Sequence, residues 1–293
     1  MATSGFQNEA GRDQISSGRR TLAVLETLAS QPGGMTPKEI SKSLGLHLST
    51  CYRLLNTLQA ASYVVRSPDG HFTLGRRVAY LNHRYEATVR PRAEILAFLH
   101  ALQVATGETA LLLRLEDTDV VTVAIVEGSL PDAHPGDYVG LAGPAYAFAA
   151  GRMLLAGLPA AQQERAIMRS QAAPVLPGIP PFSPQALRDD LVEIRKKGYA
   201  VDDGDGGAGV CCFAAPVRGP GETASAVAVV APCPRLRKAE SRILPVLLEV
   251  ARAMSALGGL RAPDTGESTD GRVSAVAVGA AQAAIASAMS SVL

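Results

Sequence analysis

The 293-residue chain has no run approaching the roughly 18 apolar residues that a bilayer-spanning helix needs, which excludes a helical membrane protein. Its first residues, MATSGFQNEAGRDQ, lack the charged-then-apolar order of a secretory signal, so a cytoplasmic location without membrane association is expected. Cysteine is scarce: Cys51, Cys211, Cys212 and Cys233 show neither CxxC nor Cys/His metal spacing, so neither metal nor cofactor is expected. A reducing compartment disfavours disulfides, and all four are expected as reduced thiols. Cys211 and Cys212 are adjacent on a strand and point to opposite faces, which excludes a bridge between them. No histidine follows His134, so a nucleophilic Cys212 would have to find its activating group in an Asp or in a distant loop.

Apolar residues make up 47% and charged residues 19%, close to globular averages, so the bulk of the chain should fold. The length exceeds what one typical core supports and points to a small domain joined to a medium-sized one. The net charge of +1 conceals a division of sign. Residues 1–90 carry 11 Lys/Arg against 6 Asp/Glu, and the remainder carries 17 against 21. A small basic module on an acidic body fits phosphate binding by the first part.

Residues 1–17 are polar and aperiodic and are expected to form a disordered arm. Leu22, Val24, Leu25 and Leu28 then mark one face of a first helix, which Pro32-Gly33-Gly34 stops. Thr36-Pro37-Lys38-Glu39 combines a capping hydroxyl, a proline at the first helical position and a glutamate three residues after the cap, so a second helix starts here. Gly45 ends it, a residue able to take the left-handed backbone of a tight turn. In the third helix Cys51, Leu54, Leu55 and Leu58 fall at i, i+3, i+4 and i+7 and predict one buried stripe. The opposite face presents Ser49, Thr50, Tyr52, Arg53, Asn56 and Thr57, side chains able to bond phosphates or base edges. Two short strands around Pro68-Asp69-Gly70 complete a winged helix-turn-helix over 18–77, and a linker helix over 78–91 leads to Pro91.

Beyond it, over 92–260, helical and strand patterns mix. Arg92 to Thr106 reads as a helix, and Thr109–Leu115 with Val120–Glu127 as paired strands. Helices are expected over 145–158, 160–170 and 184–197, strands over 199–202, 211–218 and 223–231, and a last helix over 238–257. Several antiparallel strands with helices against them suggest an α+β sensor-type domain. The tail 261–293 is linker-like and then Ala-rich, and is expected to be flexible.

GRRTLAVLETLAS followed by TPKEISKSLGLHLSTCYRLLNTLQAASYVVRSPDGHFTLGRRV resembles, element for element, the winged helix-turn-helix of the IclR family of bacterial transcriptional regulators. Later, GRMLLAGLP and KKGYAVDD…GVCCFAAPVRG resemble that family's effector-domain motifs, so the likeness runs from about Gly18 to Leu260. The resemblance implies a GAF-like α+β effector-binding domain, a homodimer or homotetramer, a double-stranded DNA operator with inverted half-sites, and a small-molecule effector, often an acid. Carried over by motif, the effector would meet Ala149, Ala150, Asp202, Cys212, Ala228 and Val230. The chain departs from the pattern where many members have Ser-x-Ser and it has Ala228 and Val230, which removes two hydroxyl donors. It departs again at Tyr146 and Phe148, where a His/Ser-like pair is usual, and at Gly204-Asp205 in place of an acidic pair. These changes imply an effector more apolar or aromatic than the smallest keto-acids.

In this reading Ser49, Thr50 and Arg53 lie nearest the bases, Arg53 as the guanine reader, with Tyr52 and Asn56 beside them. Thr36, Lys38, Arg76 and Arg77 would hold phosphates. No catalytic residue is expected. Two alternatives stay open: a cysteine-dependent enzyme built on Cys212, and a thiol-based redox switch using Cys211 or Cys233.

Overall fold

A computed structural model of the chain describes residues 15–89, 93–130, 139–171, 182–204, 209–219 and 225–257. The first 14 residues of the expected arm, Pro91, Asp205 and the whole expected tail lie outside this set. The chain divides into two compact units, Met1–Thr88 and Val89–Leu293. Among the described residues no helix is long and apolar enough to cross a membrane.

In the first unit α1 (Ser16–Ala29), α2 (Pro37–Leu44) and α3 (Leu48–Ala60) precede a two-stranded ribbon of β1 (Val64–Arg66) and β2 (Phe72–Leu74), and α4 (Arg76–Val89) follows. The apolar stripes meet in one core of Val24, Leu28, Ile40, Cys51, Leu55, Leu58, Val64 and Phe72, while Leu54 of the expected stripe sits only half-buried at its margin. Burial of each such leucine stabilises the fold by roughly 1.5–3 kcal/mol. Gly45 caps α2 at φ 62°, the left-handed turn that lets α3 start three residues later. The ribbon is not an independent flap: Met35 and Phe72 exchange backbone bonds of 3.0 and 2.8 Å, which fixes it to the turn before α2.

In the second unit α5 (Ala93–Thr106), β3 (Thr109–Glu116), β4 (Asp119–Val126), β5 (Ala142–Pro144) and a 3₁₀ turn (Ala145–Ala147) lead to α6 (Ala149–Gly157), α7 (Ala160–Gln171) and α8 (Pro184–Lys197). Then come β6 (Ala200–Asp202), β7 (Val210–Val217), β8 (Ser225–Pro232), α9 (Cys233–Lys238) and α10 (Glu240–Ala256). All neighbours in the six-stranded sheet, ordered β5-β4-β3-β8-β7-β6, are antiparallel. Alternate residues of each strand feed two cores. One face packs Leu112, Phe213, Val227 and Val229 against Phe98 and Leu102 of α5 and Ile243, Leu247 and Val250 of α10. The other packs Leu111, Leu113, Ala214 and Ala228 against α6 and α8.

A register shift keeps this division intact. On β4, Ala124 pairs with Leu112 but Thr122 with Leu113, so Val123 is the extra residue of a bulge. Without it, Thr122 and Ile125 could not both face the α6 side, because strand side chains alternate strictly.

Three elements differ from the sequence expectation. The helix expected from Ala145 is interrupted at Phe148, whose φ of −117° and ψ of 144° are extended. A short strand, β5, precedes it in a stretch expected to be a loop, and the expected last helix is α10, preceded by a short helix, α9, that the sequence did not announce. The cysteine reading is also corrected, since Cys211 and Cys233 are joined as a disulfide. Neither their spacing of 22 residues nor the strand register pairs them: Cys211 stands opposite Ala231 on β8, and it is the turn from β8 into α9 at Cys233 that brings the two Cα atoms to 4.7 Å. Cys51 and Cys212 remain thiols.

Candidate functional site

Between the α6 face of the sheet and the start of α6 lies a cavity of about 230 Å³. Seven of the eight residues expected to meet an effector line it: Phe148, Ala149, Ala150, Asp202, Cys212, Ala228 and Val230. Tyr146 is the exception. Its ring packs edge-on against Phe182 with centroids 4.7 Å apart, and burial raises the pKa of its phenol. The lining residues that sequence reasoning did not name are Leu111, Leu113, Val120, Thr122, Leu141, Ala142, Gly143 and Val210. Strand alternation could have supplied Leu111 and Leu113. The β4 residues were hidden by the bulge, and β5 carried no strand signal.

The ladder Asp202–Cys212–Val230 crosses β6, β7 and β8 in register, so the carboxylate, the thiol and an isopropyl group stand in a row on one wall. Asp202 accepts a bond of 3.1 Å from the Gly204 N–H, which anchors its carboxylate to its own turn. It is the only charged residue lining the cavity among those described; Thr122 and Cys212 add weak polarity, and the rest is apolar.

Opposite the strands the break at Phe148 matters. Phe148 is the N-cap of α6 and makes no side-chain cap bond, so the first N–H groups of α6 lack an intrahelical partner. They open at the wall formed by Ala149 and Ala150, and a helix N-terminus favours an anionic group. Gly151 sets this start: a Cβ there would meet the Ala145 carbonyl oxygen at 2.2 Å, so only glycine lets α6 approach the 3₁₀ turn. Arg152 then ties α6 to the sheet through a 2.6 Å bond to the Val201 carbonyl and to α8 through Asp190 at 3.3 Å.

In the first unit the polar face of α3 is available. Ser49, Tyr52, Arg53, Asn56 and Thr57 are exposed, and Thr50 is half-buried. Lys38 on α2 and Arg76 and Arg77 in the first turn of α4 are exposed as well, although the Arg77 guanidinium lies 4.7 Å over the Tyr80 ring. Thr36 is less available. Its hydroxyl donates to Glu39 Oε2 at 2.8 Å and accepts from the Glu39 N–H at 3.4 Å, while the Thr36 N–H donates to the same carboxylate at 2.8 Å. These bonds hold the Glu39 carboxyl below its ordinary pKa. Thr36→Ala should therefore cost about 1 kcal/mol of stability in the first unit. It should leave the salt dependence of any DNA binding unchanged, as paired melting and fluorescence-anisotropy titrations would check.

Comparison with known proteins agrees with this arrangement. Residues 19–68 match the IclR helix-turn-helix domain, and residues 86–256 match the bacterial transcriptional regulator IclR C-terminal domain. The chain is 32% identical over 234 residues to the HTH-type transcriptional regulator Rv1719 of Mycobacterium tuberculosis, covering 78% of this chain and 87% of that one. Its fold is similar to the crystal structure of an IclR transcriptional regulator from Alicyclobacillus acidocaldarius, with a TM-score of 0.62 and 26% identity over 84% of this chain and all of the other. It is also similar, at a TM-score of 0.57 and 24% identity over 81% of this chain and all of the other, to an IclR homolog from Microbacterium hydrocarbonoxydans complexed with 4-hydroxybenzoate. With the helix-turn-helix, the cavity and both domain matches in the expected order, the chain belongs to the IclR family: it is a DNA-binding transcriptional regulator with a ligand-binding C-terminal domain.

Proposed function

We propose that this regulator binds its operator through the exposed face of α3 and that an apolar or aromatic acid, larger than the smallest keto-acids, occupies the cavity and controls that binding. The observation that carries the apolar or aromatic character is the cavity lining, which is mostly aliphatic and has no cationic residue among those described, while the acid group is supported by the uncapped N-terminus of α6, away from the single carboxylate of Asp202. A cavity of ~150 Å³ holds benzene, so 230 Å³ leaves room for a substituted ring. The acid group would sit at the open N-terminus of α6, the ring against Leu111, Leu113 and Val230, and a hydroxyl, where the ligand has one, would donate to Asp202. The relative from Microbacterium hydrocarbonoxydans, which takes 4-hydroxybenzoate, has a ligand of this class.

The test is calorimetric titration of the full chain with benzoate, 4-hydroxybenzoate, pyruvate and glyoxylate. The aromatic acids should bind and the two small acids should not; tight binding of glyoxylate or pyruvate with none of the aromatic acids would overturn the reading. Ala228→Ser together with Val230→Ser places two hydroxyls in the apolar wall and should weaken the aromatic ligand by about 1–3 kcal/mol, read in the same titration.

On DNA, the N-terminal end of α3 would enter the major groove with Ser49, Thr50 and Arg53 nearest the bases and Tyr52 and Asn56 flanking them. Lys38, Arg76 and Arg77 would neutralise phosphates. The logarithm of affinity should then fall with the logarithm of salt, and each of Lys38→Ala and Arg76→Ala should reduce that slope by about 0.9, measured by anisotropy on the protein's own upstream DNA. One winged domain contacts too little DNA for a unique genomic site, which requires at least a dimer. Tyr80 and Leu81, 50% and 45% exposed on α4, are apolar surface suited to a second copy. A protein that acts on chromosomal operators would reside in the cytoplasm.

A further inference from the structure

We propose that the Cys211–Cys233 pair is a reversible thiol–disulfide exchange site whose co-reactants are low-molecular-weight thiols and their disulfides, and that its state fixes or frees the strand end that carries Cys212 into the cavity. The two sulfurs are unequally placed. Cys211 is 2% exposed and belongs to the α5/α10 core, whereas Cys233, the first residue of α9, is partly exposed. A reagent thiolate therefore reaches Cys233 first. Cys233 Sγ lies 3.8 Å from the Asp203 carbonyl oxygen, to which Arg237 Nη2 donates at 3.0 Å, while Arg237 Nε pairs with the Asp203 carboxylate at 3.6 Å, so the exposed sulfur sits beside an ion pair at the surface and not in the core.

The step balances without an external electron acceptor. The reagent thiolate attacks Cys233 Sγ, a mixed disulfide forms, and the bond to Cys211 breaks with its electron pair leaving on Cys211 Sγ, which takes up a proton. A second reagent thiolate attacks the reagent sulfur of the mixed disulfide and releases Cys233. Two reagent thiols become one small disulfide, and the protein disulfide becomes two thiols. In a DNA-containing bacterial compartment the thiol pool is reducing, and disulfides that form there in mesophiles are mostly transient or redox-sensing.

The position explains what exchange would change. Val210 and Cys212, the residues on either side of Cys211, line the cavity, and Cys212 pairs with Asp202 of β6. The bridge staples this wall to α9, which is itself held by the ion pair from Arg235 to Glu108 at 2.5 Å. Opening the bridge leaves the start of β7 held by its ladder, by the packing of Cys211 in the core and by the 3.0 Å bond from the Cys233 N–H to the Gly209 carbonyl, with the covalent restraint gone. The consequence for ligand binding rests on the effector reading above, but the exchange itself does not.

The experiment equilibrates the full-length protein in glutathione buffers from fully reduced to fully oxidised, quenches with acid, labels with N-ethylmaleimide in denaturant and reads intact mass. The expected result is a passage from four labels to two, with only Cys51 and Cys212 labelled when oxidised. Backbone amide exchange in the two forms should show Cys211–Phe213 and Cys233–Arg235 exchanging about tenfold faster when reduced, and Cys233→Ser should match the reduced form at every ratio. Four labels at every ratio, two labels at every ratio, or equal amide exchange in the two forms would each overturn the proposal. None of these readouts needs DNA or effector, so a failure here leaves the effector reading standing, and a failure of aromatic acids to bind leaves this one standing.

Discussion

Arg53→Ala should weaken operator binding by about 1–3 kcal/mol, and the loss should concentrate at one base position. Arg53 is exposed on the polar side of α3, and its planar fork matches the paired acceptors of guanine. The helix should not suffer, because the buried contacts of α3 come from Cys51, Leu55 and Leu58. Anisotropy against a set of single-base operator variants separates this from a phosphate contact. A base-reading Arg53 flattens discrimination at one position, whereas a phosphate-holding Arg53 lowers affinity uniformly and changes only the salt slope. Full discrimination in the variant would remove Arg53 from the reading set and pass the role to Ser49, Thr50 or Asn56.

The second large effect belongs to the effector domain. Arg235→Met should destabilise it by about 3–5 kcal/mol, seen as a lower melting temperature. Glu108 is 1% exposed, and Arg235 grips its carboxylate through two bonds of 2.5 and 2.8 Å. Removing the guanidinium leaves a charge with little access to water, which costs more than an intact pair contributes. The double variant Arg235→Met with Glu108→Gln should recover much of the loss, because the residual buried group is then neutral. A single variant that melts at the native temperature would show that water reaches Glu108 without rearrangement.

Much of this molecule was legible because its local signals agree with its packing. The α2 capping box, the Gly45 turn and the stripe of α3 are short-range features, and each appears where the sequence put it. Seven cavity residues were also named in advance, through motif correspondence and not through periodicity. What escaped was set by contacts between distant segments. The break at Phe148 depends on the close approach of Gly151 to Ala145, and β5 exists as a strand through its pairing with β4. The disulfide depends on the turn from β8 into α9, which carries Cys233 back to Cys211 and which no spacing of cysteines encodes. Tyr146, named with Phe148 from the position of a family pair, does not line the cavity, because it falls in the 3₁₀ turn before α6, where its ring packs on Phe182.

The extra residue at Val123 has an evolutionary consequence. Single substitutions at Leu111, Leu113, Val120, Thr122, Ala228 or Val230 can retune the chamber while the scaffold stays intact, so a lineage could pass from one ligand to another by point changes. Loss of Val123 is a different event. It would turn one arm of β4 over, exchanging inner wall for packed interior, so that specificity in this protein can drift by substitution but not by a change of length there.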